Sequence, residues 1–300
     1  VFISDDVDPD RISSENVTFY SGTKIIGKRS LIMAGCQIGY ESPVTLENTL
    51  VGERCRLNGG FFKGAVFAGN NTFGSGAHVR EGTILEEQAN AAHTVGLKQT
   101  ILFPFVTLGS LINFCDCLMA GGTSRKDHSE VGSSFIHFNY TPNQDKATPS
   151  MMGDISRGVM LRSRPIFLGG QGGLVGPVRI GYGCISAAGS IIRKDEPNED
   201  RILLGGGLKN MSMPRQPNVY SNIGRIYNNN VRYIAGLFAL SAWYAHIRTQ
   251  FTAGDLSREL NQGLAANLQA AINERIKRLA DFQDKLGKSR ETVRAAGSEK

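Results

Sequence analysis

The sequence predicts a mainly β chain. Short parallel strands wind as a three-sided β-helix with one loop excursion, and an α-helical extension follows. Three observations carry this reading. Apolar residues recur every six positions over long stretches. Glycine is abundant, 36 of 300 residues, against a usual share of about 7%, with no every-third repeat of the collagen kind. After about residue 205 the six-residue rhythm gives way to helical spacing.

The rhythm comes first because repeats decide architecture. Ile26, Ile32, Ile38, Val44 and Leu50 are six apart, as are Phe67, Phe73, Val79, Leu85, Ala91, Leu97 and Phe103. Leu168, Leu174, Ile180 and Ile192 resume the series, with Ser186 in its one weak slot. A helix has period 3.6 and a strand period 2, so neither alone demands six. A short strand plus a corner does. Three such units close a coil of about 18 residues whose inner side chains are buried only by stacking coil on coil. Glycines follow the apolar residue, as at Gly27, Gly39, Gly52 and Gly181, where the corner asks for positive φ or a small residue.

The β-helix is expected over 1–205, with an excursion about 118–165. The stretch "SRKDHSEVGSSFIHFNYTPNQDK" (124–146) breaks the rhythm and crowds polar residues. A linker follows at 206–218, marked by "MPRQPN". The helical extension covers 219–300, its tail after Gly287 frayed. One helix is expected to bury Ile223, Ile226, Tyr227, Ile234, Leu237 and Phe238, weakened by Asn228 to Asn230. The second, capped by Asp255, carries Leu256, Leu260, Leu264, Leu268, Ile272, Ile276, Leu279 and Leu286 as its apolar stripe. These helices pack on the β-helix or on a neighbouring subunit.

Composition narrows the function. Hydrophobic residues are 41% and charged residues 20%, enough for a core and too few charges for a disordered polyelectrolyte. The net charge of +6 lies largely on the helical extension. There is no zinc-finger or RNA-binding motif, so no nucleic-acid partner is expected, while anionic small molecules fit. Five cysteines, an odd number without a CxxC pair, indicate reduced thiols in a cytoplasmic protein. No signal peptide opens the chain; its first residue is not Met, which leaves room for an upstream domain. The longest apolar run, Ile234 to Ile247, is shorter than the ~20 residues a membrane span needs.

The stretches "GAHVREGTILEEQANAAHTVGLKQTILFPFVTLG" (76–109), "HFNYTPNQDK" (137–146) and "LVGPVRIGYGCISAAGSIIRKD" (174–195) resemble the hexapeptide-repeat, left-handed β-helix family. Within it they are similar to the acetyltransferase half of bifunctional UDP-N-acetylglucosamine pyrophosphorylase/glucosamine-1-phosphate N-acetyltransferase. The wording "GLKQTILFPFVTLGSLINFCDC" looks closest to a bacterial subgroup labelled UDP-N-acetylglucosamine pyrophosphorylase. The resemblance covers most of residues 17–195. It implies a left-handed coil, a homotrimer with sites between adjacent β-helices, acetyl-CoA as acyl donor, and a sugar phosphate or nucleotide sugar as partner. Arg80, Lys98 and Lys146 would then hold phosphate, and Asn139 and Tyr140 would line the sugar or acyl site.

The sequence departs from the family at the general base. The resemblance expects a His after a Gly, yet Ser110 follows Gly109, and Asn113 replaces a Tyr. Both remain candidates for lining the substrate, but a Ser hydroxyl is a poor base near neutral pH. His128 is the proposed substitute, with Asp127 orienting it and Arg125 and Lys126 holding an anion beside it. His137 is expected to serve a structural hydrogen bond, and His93 a structural or supporting role. No metal is expected, since His128, His137 and Asp127 lack tight ligand spacing. Glycines in "GGQGG" (169–173) read as coil corners. Three functions follow: an acyl-CoA-dependent N-acyltransferase, a non-catalytic sugar-nucleotide-binding scaffold, and a nucleotidyltransferase as the subgroup label says.

Overall fold

A computed structural model describes residues 1–298, with side-chain surroundings through residue 294. Parallel strands, mostly two or three residues long, stack into a β-solenoid with three faces. Face one runs from Phe2–Ile3 through Ala77–Val79 to Ile191–Ile192, face two from Leu31–Ile32 through Ile84–Leu85 to Arg179–Ile180, and face three from Thr18–Phe19 through Asn90–Ala91 to Ile202–Leu203. Phe61, His78, Gly96 and Asn113 are successive Cα partners on face one, so a coil there takes 17 or 18 residues. The longer strands Gly96–Leu102 and Asn113–Met119 turn the edge between faces one and two without a break.

One side chain per strand points inward and stacks on its equivalent. On face one the column is Ile25, Leu46, Phe62, Val79, Leu97, Phe114, His137, Leu174 and Ile192. The expected series from Phe67 to Phe103 is buried throughout. Its first member is not: Ile26 is half-buried, and Ile25 takes the inner position. Gly27 and Gly39 adopt positive φ, whereas Gly52 needs its small size, since a Cβ there would lie 2.4 Å from the Ala68 carbonyl oxygen.

Between residues 118 and 165 the chain leaves the stack three times. Strands Glu130–Val131, Ile136–Phe138 and Ser150–Met152 return to the three faces in turn. The excursions are an antiparallel hairpin (Gly122–Ser124 with Asp127–His128), a loop over 139–149, and a turn carrying helix α1 (Ile155–Gly158). Residues 206–216 form no regular element and are exposed. Helices α2 (Ile223–His246) and α3 (Asp255–Ser298) follow; α3 continues past Gly287. Among the described residues no helix is long and apolar enough to cross a membrane.

The helices cover face two of their own solenoid. Its outward residues, unlike those of the other faces, are apolar and buried: Leu31, Leu50, Val66, Ile84, Ile101 and Leu118 are at most 2% exposed. Each such burial contributes about 1.5–3 kcal/mol, so this contact outweighs the ion pairs at its rim, worth roughly 0–1 kcal/mol each. Adjacent apolar pairs (Leu31-Ile32, Leu50-Val51, Val66-Phe67, Ile84-Leu85) are the sequence signature of this two-sided burial.

Helix α3 runs along the edge between faces one and two. Gly263 packs on Leu50, and Asn267 Nδ2 donates to the carbonyls of Gly64 (2.9 Å) and Thr83 (3.3 Å). Lys285 Nζ reaches the carbonyls of Asn143 and Gln144. Of the expected stripe, Leu260, Leu264, Leu268 and Ile272 are buried, but Ile276 faces solvent and Arg275 takes the inner position. Four-residue steps advance about 40° each around a 3.6-residue helix, so a strict i+4 series rotates off the interface. Helix α2 buries Tyr233, Leu237, Leu240 and Tyr244, while Ile223, Tyr227 and Phe238 are exposed. Asn229 and Asn230, read as weakening it, anchor it instead. Asn229 donates to Asp195 and accepts from Arg179 Nε, and Asn230 donates to the Ala147 carbonyl. These amides satisfy loop groups that no strand pairs.

Candidate functional site

A groove of about 470 Å³ opens on face one. Strand alternation builds it. Val79, Leu97 and Phe114 point inward, so Arg80, Lys98 and Cys115, one residue on, point out from three successive coils. Asn113, Thr94 and Leu111 line the same groove. Two cations one coil apart form a fixed positive site, with the fork of an Arg beside the point charge of a Lys. Cys115 sits at its foot. Burial and then Asp116 push its thiol up, while Arg80 and Lys98 pull the other way; it is held as a thiol.

Behind Cys115, buried Asp116 bonds to Arg275 Nη2 of α3 at 2.9 Å. Burial raises the Asp116 carboxyl, and Arg275 opposes that most strongly. Asn139 Nδ2 donates to Asp116 Oδ2 at 3.1 Å. The helical extension thus reaches into the edge on which the groove is built.

The structure brings some of the sequence-predicted residues together and separates others. Arg80, Lys98 and Asn113 share the groove. Asn139 adjoins it through Asp116. Tyr140 stands 72% exposed in a second groove of about 620 Å³, with Phe138, Val175 and Arg193. Lys146 is exposed at a loop corner with φ 53° and lines neither groove. Ser110 lies on the edge between faces three and one.

His128 and Asp127 lie on another edge, between faces two and three. In one chain they do not face Arg80 and Lys98. Asp127 does not orient His128: its carboxylate accepts from Thr123 Oγ1 at 2.6 Å, while the carboxylate nearest His128 is Glu130, 4.0 Å away. Successive strand residues point to opposite sides, which separates the pair. Arg125 is not free for an anion. Its guanidinium donates to the carbonyls of Gln88 (2.7 Å) and Phe105 (3.0 Å) and to the Thr107 hydroxyl, which ties down the hairpin.

His137 replaces an aliphatic in the inner column. Its Nε2 lies 2.7 Å from Ser150 Oγ, and burial pushes its pKa down to about 4; the expected structural hydrogen bond is present. His128, His137 and Asp127 do not converge on a metal position. The sequence reading missed His78, which lines the groove, the Asp116–Arg275 pair, and the contact of His93 with Ser110, Nδ1 to Oγ at 2.9 Å. For the last the signal was available: His93 and Ser110 are 17 residues apart, one coil, and so stack on the same edge.

The chain is 30% identical over 182 residues to bifunctional protein GlmU of Clavibacter sepedonicus, covering 61% of this chain and 33% of that one. Against the GlmU of Pelobacter propionicus it is 27% identical over 192 residues, covering 64% and 36%. Against that of Thermotoga maritima it is 27% over 183 residues, covering 61% and 36%. The fold is a hexapeptide-repeat β-helix. This β-helix spans about a third of the length of those relatives, and no family model matches it.

Proposed function

We propose that this β-helix is an acyl-CoA-dependent N-acyltransferase whose acceptor is an amino-sugar phosphate or nucleotide sugar. The observation that carries the reading is the pair Arg80 and Lys98, outward on adjacent coils over one groove, in a chain similar to GlmU. The cations hold the phosphate. The acceptor amine attacks the thioester carbonyl, and backbone N–H groups meet the developing oxyanion. Acetyl-CoA is the proposed donor. The adjoining groove offers apolar walls, Phe138, Tyr140 and Val175, for its pantetheine arm, and Arg193 for a phosphate. In this reading the chain works as a homotrimer in the cytoplasm, with Asn139, Tyr140 and Lys146 closing the site.

A second reading, a sugar-nucleotide-binding scaffold without catalysis, draws on one observation. Position 110 carries Ser where the resemblance expects the base, and His128 is on a different edge. Thiol release from acetyl-CoA with glucosamine 1-phosphate and related amines separates the two. Turnover that falls about 10²-fold or more in Lys98→Ala and Arg80→Ala supports acyl transfer. Saturable UDP-sugar binding without turnover supports the scaffold, and UTP-dependent pyrophosphate release supports a nucleotidyltransferase.

A further inference from the structure

One imidazole, His78, lines the groove itself and packs on the Phe61 ring at 5.3 Å; a second, His93, stands at the rim, where a serine hydroxyl meets it. Ser110 and His93 occupy equivalent corners of successive coils on the edge between faces three and one. Their side chains meet at 2.9 Å, and the Leu111 amide donates to the His93 carbonyl at 3.1 Å. Ser110 is further fixed by its amide, which donates to Ser133 Oγ at 3.1 Å. His93 is exposed and Ser110 half-buried, so core packing does not account for the contact. Thr94, directly after His93, and Leu111 to Asn113, directly after Ser110, line the groove that Arg80 and Lys98 also line. A small phosphorylated amine seated on those cations lies along a wall that begins at this pair. Glu41 is the charged group whose field meets His93 on the same edge; hydrogen bonds from Ser75 and then Asn58 keep its carboxyl low.

We propose that His93, acting through Ser110, accepts the proton of the attacking amine. The assignment rests on the acyltransferase reading above. The Ser110 hydroxyl donates to neutral His93 Nδ1 and accepts from the amine N–H. As the amine nitrogen bonds to the thioester carbon, the C–S bond breaks and its electron pair leaves on the CoA thiolate. The amine proton passes to Ser110 Oγ while the Ser110 proton passes to His93. The imidazolium then protonates the thiolate, which returns the pair to its starting state with free thiol as co-product. Ser110 is never acylated.

The test combines a binding readout with turnover. In wild-type protein, glucosamine 1-phosphate should shift the His93 ring resonances saturably, leave those of His128 in place, and lose the effect in Lys98→Ala. In thiol release, His93→Gln should lower kcat by about 10²–10⁴-fold, the usual contribution of a general base. KM should change little and the acidic limb of the pH profile should vanish. Ser110→Ala should fall in the same direction. Unchanged kcat in His93→Gln overturns the assignment while leaving the acyltransferase reading intact. So does loss confined to His78→Ala or to His128→Ala, or an acetyl group found on Ser110 by mass spectrometry. If the wild type neither binds nor turns over any amino-sugar phosphate, the reading itself falls and takes the assignment with it.

Discussion

Glu86 shows how one residue couples the solenoid to its helices. It is buried at the edge between faces two and three and accepts a hydrogen bond from Tyr244 of α2, with Arg248 close by. Burial raises its pKa from 4.5 to about 7. A carboxyl with a raised folded pKa binds its proton more tightly folded than unfolded. Its contribution is full below about pH 4.5 and is lost as pH rises through 7. The shift corresponds to a contribution on the order of 3 kcal/mol. Urea midpoints of the wild type should therefore fall between pH 5 and 8 through this group, and Glu86→Gln should flatten that part of the slope. An identical slope in the variant would remove Glu86 from the account. The groove residues were legible at this scale only in part. Arg80 and Lys98 stood out because they fall on positions that the family resemblance marks as holding phosphate. Asp116 and Arg275 did not, because a buried ion pair between residues far apart in sequence leaves no local pattern.

At the scale of elements, α3 sits on the solenoid because Gly263 lets it approach. A Cβ added at Gly263 would lie 2.2 Å from Leu50 Cδ2. Gly263→Val should push the helix off face two, costing about 1–3 kcal/mol as an overpacked contact and raising binding of a hydrophobic dye. A midpoint shift below 0.5 kcal/mol would show that the helix adjusts freely. Helix α2 illustrates what local pattern hides. Its apolar residues were counted by spacing, yet Tyr227 and Phe238 are outside, while Asn229 and Asn230 are inside. An amide is buried where it meets loop carbonyls, and those loops come from residues 147, 177 and 195, which no sequence window joins.

For the whole molecule, the repeat made the architecture readable. Inward aliphatics six apart require a stack, and the stack is there. The side to which the helices dock was also written in the sequence, as paired apolar residues at face-two strands, but it reads as ordinary strand until the three faces are separated. The excursions were the least legible. The chain leaves and re-enters the stack three times between 118 and 165, and short returning strands carry no more signal than loops.

The long contact of α3 with the stack has a mechanical result. The helix ties Arg11 through Glu259, Gly64 and Thr83 through Asn267, Asp116 through Arg275, and Asn143 through Lys285. A bare stack of repeats can melt rung by rung from either end. A rod lashed along most of its length cannot release one rung without loosening the lashing, so denaturant should produce a single sharp transition. A proteolytic nick within residues 252–254, between the helices, should turn that transition into a broad or stepped one; if it stays sharp, the lashing is not what makes the column melt as one.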